Sequence, residues 1–146
     1  MSVINSIISN LYSIQENIDV IIHDTLQETQ EYLTDDIRSQ LIKGVDATGH
    51  KFSPKYKNAK YAEKKFAMNP EPGLFNPDLK LSGNLHAGLF ELLYEENILI
   101  SSHVDYAGIL EEKYGIEIFE PTKQNLNDYI NQHFKPVFLE KIRRLL

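Results

Sequence analysis

The sequence contains no cysteine, which excludes a disulfide scaffold, a thiol nucleophile and any Cys-ligated zinc or iron–sulfur centre. It has no long hydrophobic run. Its strictly apolar stretches reach three residues, as in Val20-Ile21-Ile22 and Ile98-Leu99-Ile100, far short of the roughly 20 that cross a bilayer as a helix. No Lys or Arg precedes Arg38 and no unbroken apolar core lies near the start, which reads against a signal peptide. Neither Gly nor Pro occurs between residues 3 and 42, so nothing there forces a helix to stop. Phosphate-loop and nucleophile-elbow patterns are missing.

What remains is 146 residues with 42% apolar and 25% charged side chains, an ordinary globular composition of one-domain size. The net charge of −6 is unevenly placed. Residues 1–37 hold seven acids and no base; residues 38–65 hold eight bases and two acids; residues 66–146 hold twelve acids and seven bases. An acidic chain is a poor general binder of nucleic acid. A basic stretch between acidic ones suits an acidic protein surface, including that of another copy.

Apolar residues at Ile4, Ile7, Ile8, Leu11, Ile14, Ile18, Ile21, Ile22, Leu26, Leu33, Ile37 and Leu41 follow a helical period, with Thr29 the polar residue on the stripe. Ser2 suits the N-cap. The pattern predicts a helix of about 38 residues, straight or broken once, about 55 Å long if straight. That overhangs a domain of this size, so the stripe is covered either by the chain itself, through a break or a hairpin, or by a partner.

Gly44 suits the helix exit and residues 44–54 a loop. Residues 55–67 suit a short basic helix or an irregular arm, and residues 68–78, with three prolines, an extended loop. A short helix is expected over 79–88 with Ser82 as cap, then a hairpin of residues 89–94 and 97–104 around Glu95-Glu96. The alternation of Ile98 and Ile100 against Leu99 predicts two partly covered faces. A helix over 105–115, a strand over 116–119 and a terminal helix complete the chain. In the last helix Pro121 sits in the first turn, the stripe runs through Leu126, Tyr129 or Ile130, His133 or Phe134, Val137 or Phe138, Ile142 and Leu145, and Pro136 introduces a kink. The fold class is α+β: a long N-terminal helix, a small antiparallel sheet with short helices, and a C-terminal amphipathic helix. The single domain divides into the helix (1–43), an extended arm (44–78) and an α+β core (79–146).

Chemistry is sparse. The histidines 23, 50, 86, 103 and 133 contain no His-x-x-x-His pair. His103 and Asp105, two apart, suit either a strand end or a weak metal or base pair. The adjacent pairs Asp35-Asp36 and Glu111-Glu112 diverge on a helix. No catalytic, cofactor-binding or metal residue is assigned, and no cofactor is expected. Residues 51–66 alternate lysine with aromatics, which suits phosphate neutralisation and base stacking; with no Arg among six bases, bidentate base reading is not expected. The candidate contact set is Lys51, Lys55, Lys57, Lys60, Lys64, Lys65, Tyr56 and Tyr61, facing a partner subunit or, incidentally, DNA.

The order of short motifs carries a resemblance. Gly-Val-Asp-Ala-Thr-Gly-His-Lys-Phe-Ser-Pro (44–54), Leu-Lys-Leu-Ser-Gly-Asn-Leu (79–85), Ile-Leu-Ile-Ser-Ser (98–102), Tyr106-Ala107 and Tyr114-Gly115 follow one another. This resembles the phage virion-morphogenesis family: minor tail, tail-completion and head–tail joining proteins of tailed phages and prophages. The family often carries Arg-Pro-Phe before its last helix, where this chain has Ile118-Phe119-Glu120-Pro121. The resemblance implies a non-enzymatic, ring-forming structural subunit of a neck or tail. It would be assembled in the bacterial host cytoplasm, located in the virion, and touch copies of itself and neighbouring portal-adaptor and tail proteins. A ring needs two different complementary patches per subunit, and the acidic helix and basic arm are the candidates. The alternatives are a module whose helix docks in another protein's groove, a DNA-contacting accessory protein, or an enzyme of unrecognised type.

Overall fold

The computed structural model describes residues 2–80, 82–94 and 97–146. The first apolar stripe forms two helices, α1 (Val3–Glu16) and α2 (Ile18–Lys43). Ser2 caps α1, its Oγ accepting the Asn5 N–H at 3.2 Å. The break at Asn17 is slight: its N–H still bonds Ser13 O and its carbonyl still accepts Ile21 N–H. No hairpin forms, and α1 runs on past the body.

The buried face of α2 is a four-residue ladder: Ile21, Thr25, Thr29, Leu33, Ile37 and Leu41. Its two threonines satisfy their hydroxyls within the helix, Thr25 Oγ1 on Ile21 O at 2.6 Å and Thr29 Oγ1 on Thr25 O at 2.7 Å. Such back-bonding makes threonine tolerable at a core position. Leu26, expected on the stripe, is only half-buried.

Gly44 ends α2 in the left-handed region (φ 70°), with its N–H on Leu41 O and the Val45 N–H on Gln40 O. This is a Schellman closure. A Cβ at Gly44 would lie 2.5 Å from Pro77 O, so the position needs glycine for space as well as for φ. Residues 44–78 are not an extended arm. Phe52 is buried beside Tyr114, Lys51 Nζ donates to Lys43 O at 2.8 Å, and Asn69 Nδ2 donates to Ile42 O at 2.8 Å. Within the segment, α3 (Ala59–Met68) starts at an Asn58 cap and buries Ala62 and Lys65.

The expected helix over 79–88 is shorter. Asp78 Oδ1 accepts the Lys80 N–H at 2.9 Å, an Asx turn that holds Leu79 at φ 56° and delays the helix. α4 (Asn84–Ala87) begins after Gly83; Ser82 Oγ still accepts the Asn84 N–H. Leu81, in the expected helix, lies outside the described residues.

β1 (Leu89–Tyr94) and β2 (Asn97–Ser102) pair antiparallel from Leu89↔Ser102 to Tyr94↔Asn97. The expected tip, Glu95-Glu96, lies outside the described residues. α2 lies on β1, with Thr34 Oγ1 donating to Glu91 Oε2 at 2.6 Å. α5 (Ala107–Tyr114) follows. The expected strand over 116–119 is instead a 3₁₀ turn, Ile116–Phe119, with i→i+3 bonds from Ile118 to Gly115 and Glu120 to Glu117. Ile118 and Phe119 are both buried; a strand would send these neighbours to opposite faces, whereas the tight turn points both into the core.

The C-terminal run is α6 (Lys123–Tyr129), one π turn (Ile130–Phe134) and α7 (Lys135–Leu145). Its cap is Thr122, so Pro121 precedes the helix. Pro136 has no N–H for the Gln132 carbonyl, and the π turn directly ahead of it is the break in the ladder. The run packs antiparallel to α2: Gln40 Nε2 donates to Glu120 O, and Gln40 Oε1 accepts Thr122 N–H and Asn125 Nδ2. Tyr32 stacks on His133 at 3.7 Å, and Lys141 pairs with Glu28 at 2.6 Å.

The core joins Ile37 and Leu41 of α2, Phe52 of the loop, Leu85, Leu89, Ala107, Ile118 and Phe119. All three predicted sections of the chain contribute to it, so they form one packing unit. The α+β class stands. No described helix is long and apolar enough to cross a membrane.

Candidate functional site

The residues with chemical potential do not converge. His103 stacks on the Phe90 ring at 4.1 Å, and both His103 and Asp105 are exposed. Among the described residues no group of three His, Cys, Asp or Glu is placed to hold a metal. His50 Nδ1 meets Thr48 Oγ1 at 2.8 Å inside the 46–50 turn. His86 is buried, its Nε2 donating to Asp78 O at 2.9 Å. Burial holds its pKa below the ordinary histidine value against the opposing pull of Asp78, so it stays neutral at pH 7.

The lysine segment divides into two groups. Lys55, Lys57, Lys60 and Lys64 are exposed on or next to α3. Lys65 is buried and bonds Asp78 Oδ1 at 2.7 Å and the Lys80 carbonyl, while Lys51 caps the end of α2. Lys65 therefore serves the fold and offers no exposed charge, whereas Lys51 stays exposed. Burial pushes the Asp78 carboxyl up, but Lys65, the Lys80 N–H and the Asn69 amide together outweigh it and leave the pKa below the ordinary value. Tyr56 and Tyr61 meet edge to face at 5.0 Å, and burial is the main reason the Tyr56 hydroxyl is pushed above the usual tyrosine range. The two rings are therefore engaged with each other. With Tyr106, Tyr114 and Lys80 they line a cleft of about 410 Å³.

The acidic helix also has partners within the chain. Glu28 pairs with Lys141 and Asp35 with Arg38. Burial pushes Asp36 up, with repulsion from Asp128 and Asp35 adding to it and His133 opposing.

Among the described residues two uncovered apolar surfaces stand out. On α1, Val3, Ile4, Ile7, Ile8, Leu11 and Tyr12 are all exposed, Val3 at 76% and Ile4 at 69%. The helix touches α7 near its end, where Asn10 Nδ2 donates to Leu146 O at 3.2 Å. The second surface is a groove of about 730 Å³ between α2, β2, the 3₁₀ turn and α6, with Leu26, Leu33, Ile98, Leu99, Leu126 and Ile130 among its lining. Leu99 and Ile116 on its rim are 58% and 68% exposed.

Sequence reasoning missed this groove. The stripe was expected to bury Leu126 and either Tyr129 or Ile130; Tyr129 is buried, whereas Leu126 and Ile130 are exposed. The phenol meets Thr29 Oγ1 at 2.7 Å, and burial raises its pKa against that hydrogen bond. Leu99 was expected to be partly covered; with its cross-strand partner Leu92 it is exposed. The available signal was an excess of apolar positions over what one core face uses. Compared with protein-family models, with curated proteins and with solved structures, the chain matches none.

Proposed function

We propose that this protein is a structural subunit that acts by self-association, in the neck or tail of a tailed phage, as a head–tail joining or tail-completion component of the virion. One observation carries the reading: α1 is a 14-residue amphipathic helix with no buried residue, continuous with the body yet uncovered by it. An apolar patch of that size on a soluble surface marks a contact site. The motif order described above supplies the biological setting. The exposed lysines 55, 57, 60 and 64 provide a second patch, unlike α1 in character, as a closing ring requires.

Sedimentation velocity over a wide concentration range, with negative-stain imaging, tests the proposal. The expected result is reversible growth into a discrete oligomer with closed rings. A single monomeric species throughout, and absence of the protein from purified particles, would overturn it.

A further inference from the structure

We infer that the groove between α2, β2 and α6 of one copy receives α1 of a second copy. This inference rests on the self-association reading and names its two faces. The acceptor is the groove of about 730 Å³, with Leu99, Ile116, Leu126 and Ile130 at its surface and Glu111 and Glu120 among its lining.

Charge selects the occupant. Between residues 3 and 16, α1 carries one ionised side chain, Glu16 at its far end. Its first turn holds no acid, so the partial positive charge of a helix N-terminus is left uncompensated there. A groove bordered by two carboxylates repels an acid-rich helix and accepts one that is neutral with a positive end. The first half of α2, with Asp19, Asp24, Glu28 and Glu31, fails that test, and α7 is already laid along α2.

Area agrees. The six exposed apolar side chains of α1 amount to on the order of 500 Å². That is a patch of the size that marks a contact site on a protein surface. The chain's own α1 is kept out. The helical hydrogen bonds on both sides of Asn17 hold α1 in line with α2, so it extends away from the body. Donor and acceptor are different surfaces, and each copy offers both, which gives the heterologous contact of a ring.

Complementing variants test this. Ile4→Glu/Ile8→Glu disables the donor, and Leu99→Glu/Leu126→Glu disables the acceptor; all four positions are exposed, and circular dichroism confirms the fold. Each variant alone is expected to lose association, with a dissociation constant raised about thirtyfold or more. An equimolar mixture should form a 1:1 pair, because one intact donor and one intact acceptor remain. As the chain has no cysteine, Ile8→Cys and Leu99→Cys proteins give an independent reading. Mixed and oxidised, they should form a heterodimeric disulfide that a mixture of Ile8→Cys with Glu71→Cys, at an exposed position outside both faces, does not. If the wild type assembles but both variants assemble equally well and the cross-link is absent, this interface is overturned and self-association stands. A wild type that stays monomeric overturns both.

Discussion

Replacing Lys65 by Met isolates the buried ion pair that fastens α3 and the 78–80 turn to the body. Lys65 and Asp78 are 6% and 2% exposed, and Nζ lies 2.7 Å from Oδ1. After the substitution Asp78 keeps two neutral donors, the Lys80 N–H at 2.9 Å and Asn69 Nδ2 at 3.0 Å, but its charge has no counterion. Removing one partner of such a pair costs about 3–5 kcal/mol. With a urea m-value of about 2 kcal/mol per molar, the midpoint should fall by about 2 M. Asp78→Asn should cost a similar amount, since it strands the ammonium. The double variant removes both charges while Asn keeps an acceptor for the Lys80 N–H. It should therefore be more stable than the sum of the singles by about 2 kcal/mol or more. Equilibrium urea unfolding of the four proteins completes the cycle. A Lys65→Met cost below about 1 kcal/mol, or additive single effects, would refute the claim that this pair is a desolvated unit.

The same turn predicts acid sensitivity. His86 has a folded pKa below its unfolded value, so it favours the folded state above about pH 6.5, and that contribution is lost as pH falls below it. Asp78, also depressed, contributes above its unfolded value near 4 and loses this as pH falls through its folded pKa. Urea midpoints should decline from pH 7 toward pH 5, less steeply in His86→Gln; parallel curves would count against the histidine assignment. Gln40→Ala removes three hydrogen bonds that seat the start of the C-terminal helix and should cost about 2–4 kcal/mol by thermal or urea unfolding, with hydrogen exchange rising first around Thr122 and Asn125. Gly44→Ala meets both a positive φ and the Pro77 carbonyl, and should lower stability by at least about 2 kcal/mol. Reversing Lys55, Lys57, Lys60 and Lys64 to Glu should leave the circular dichroism spectrum unchanged and abolish assembly by light scattering; unchanged assembly would remove this patch from the interface.

Local order was legible because it depends on neighbours in sequence. The Gly- and Pro-free stripe, the Ser2 cap, the Gly44 exit and the paired runs around Glu95-Glu96 each rest on interactions spanning a few residues, and together they determined the α+β class. The uncovered apolar side of α1 was also foreshadowed, because a helix of that length outruns a domain of this size. What tertiary structure alone decided concerns partners distant along the chain. Thr29 becomes a core residue because the Tyr129 hydroxyl reaches it from a hundred positions away. Lys65 leaves the surface because the 78–80 turn brings a carboxylate beneath it, and residues 116–119 coil into a 3₁₀ turn because both buried side chains must enter one core. The groove has the same origin: Leu99, Ile116 and Leu126 belong to three elements, and only their packing reveals that the apolar side chains exceed what the interior holds. Periodicity reports which face of an element is greasy, but whether that face is buried is set by the free energy of long-range packing.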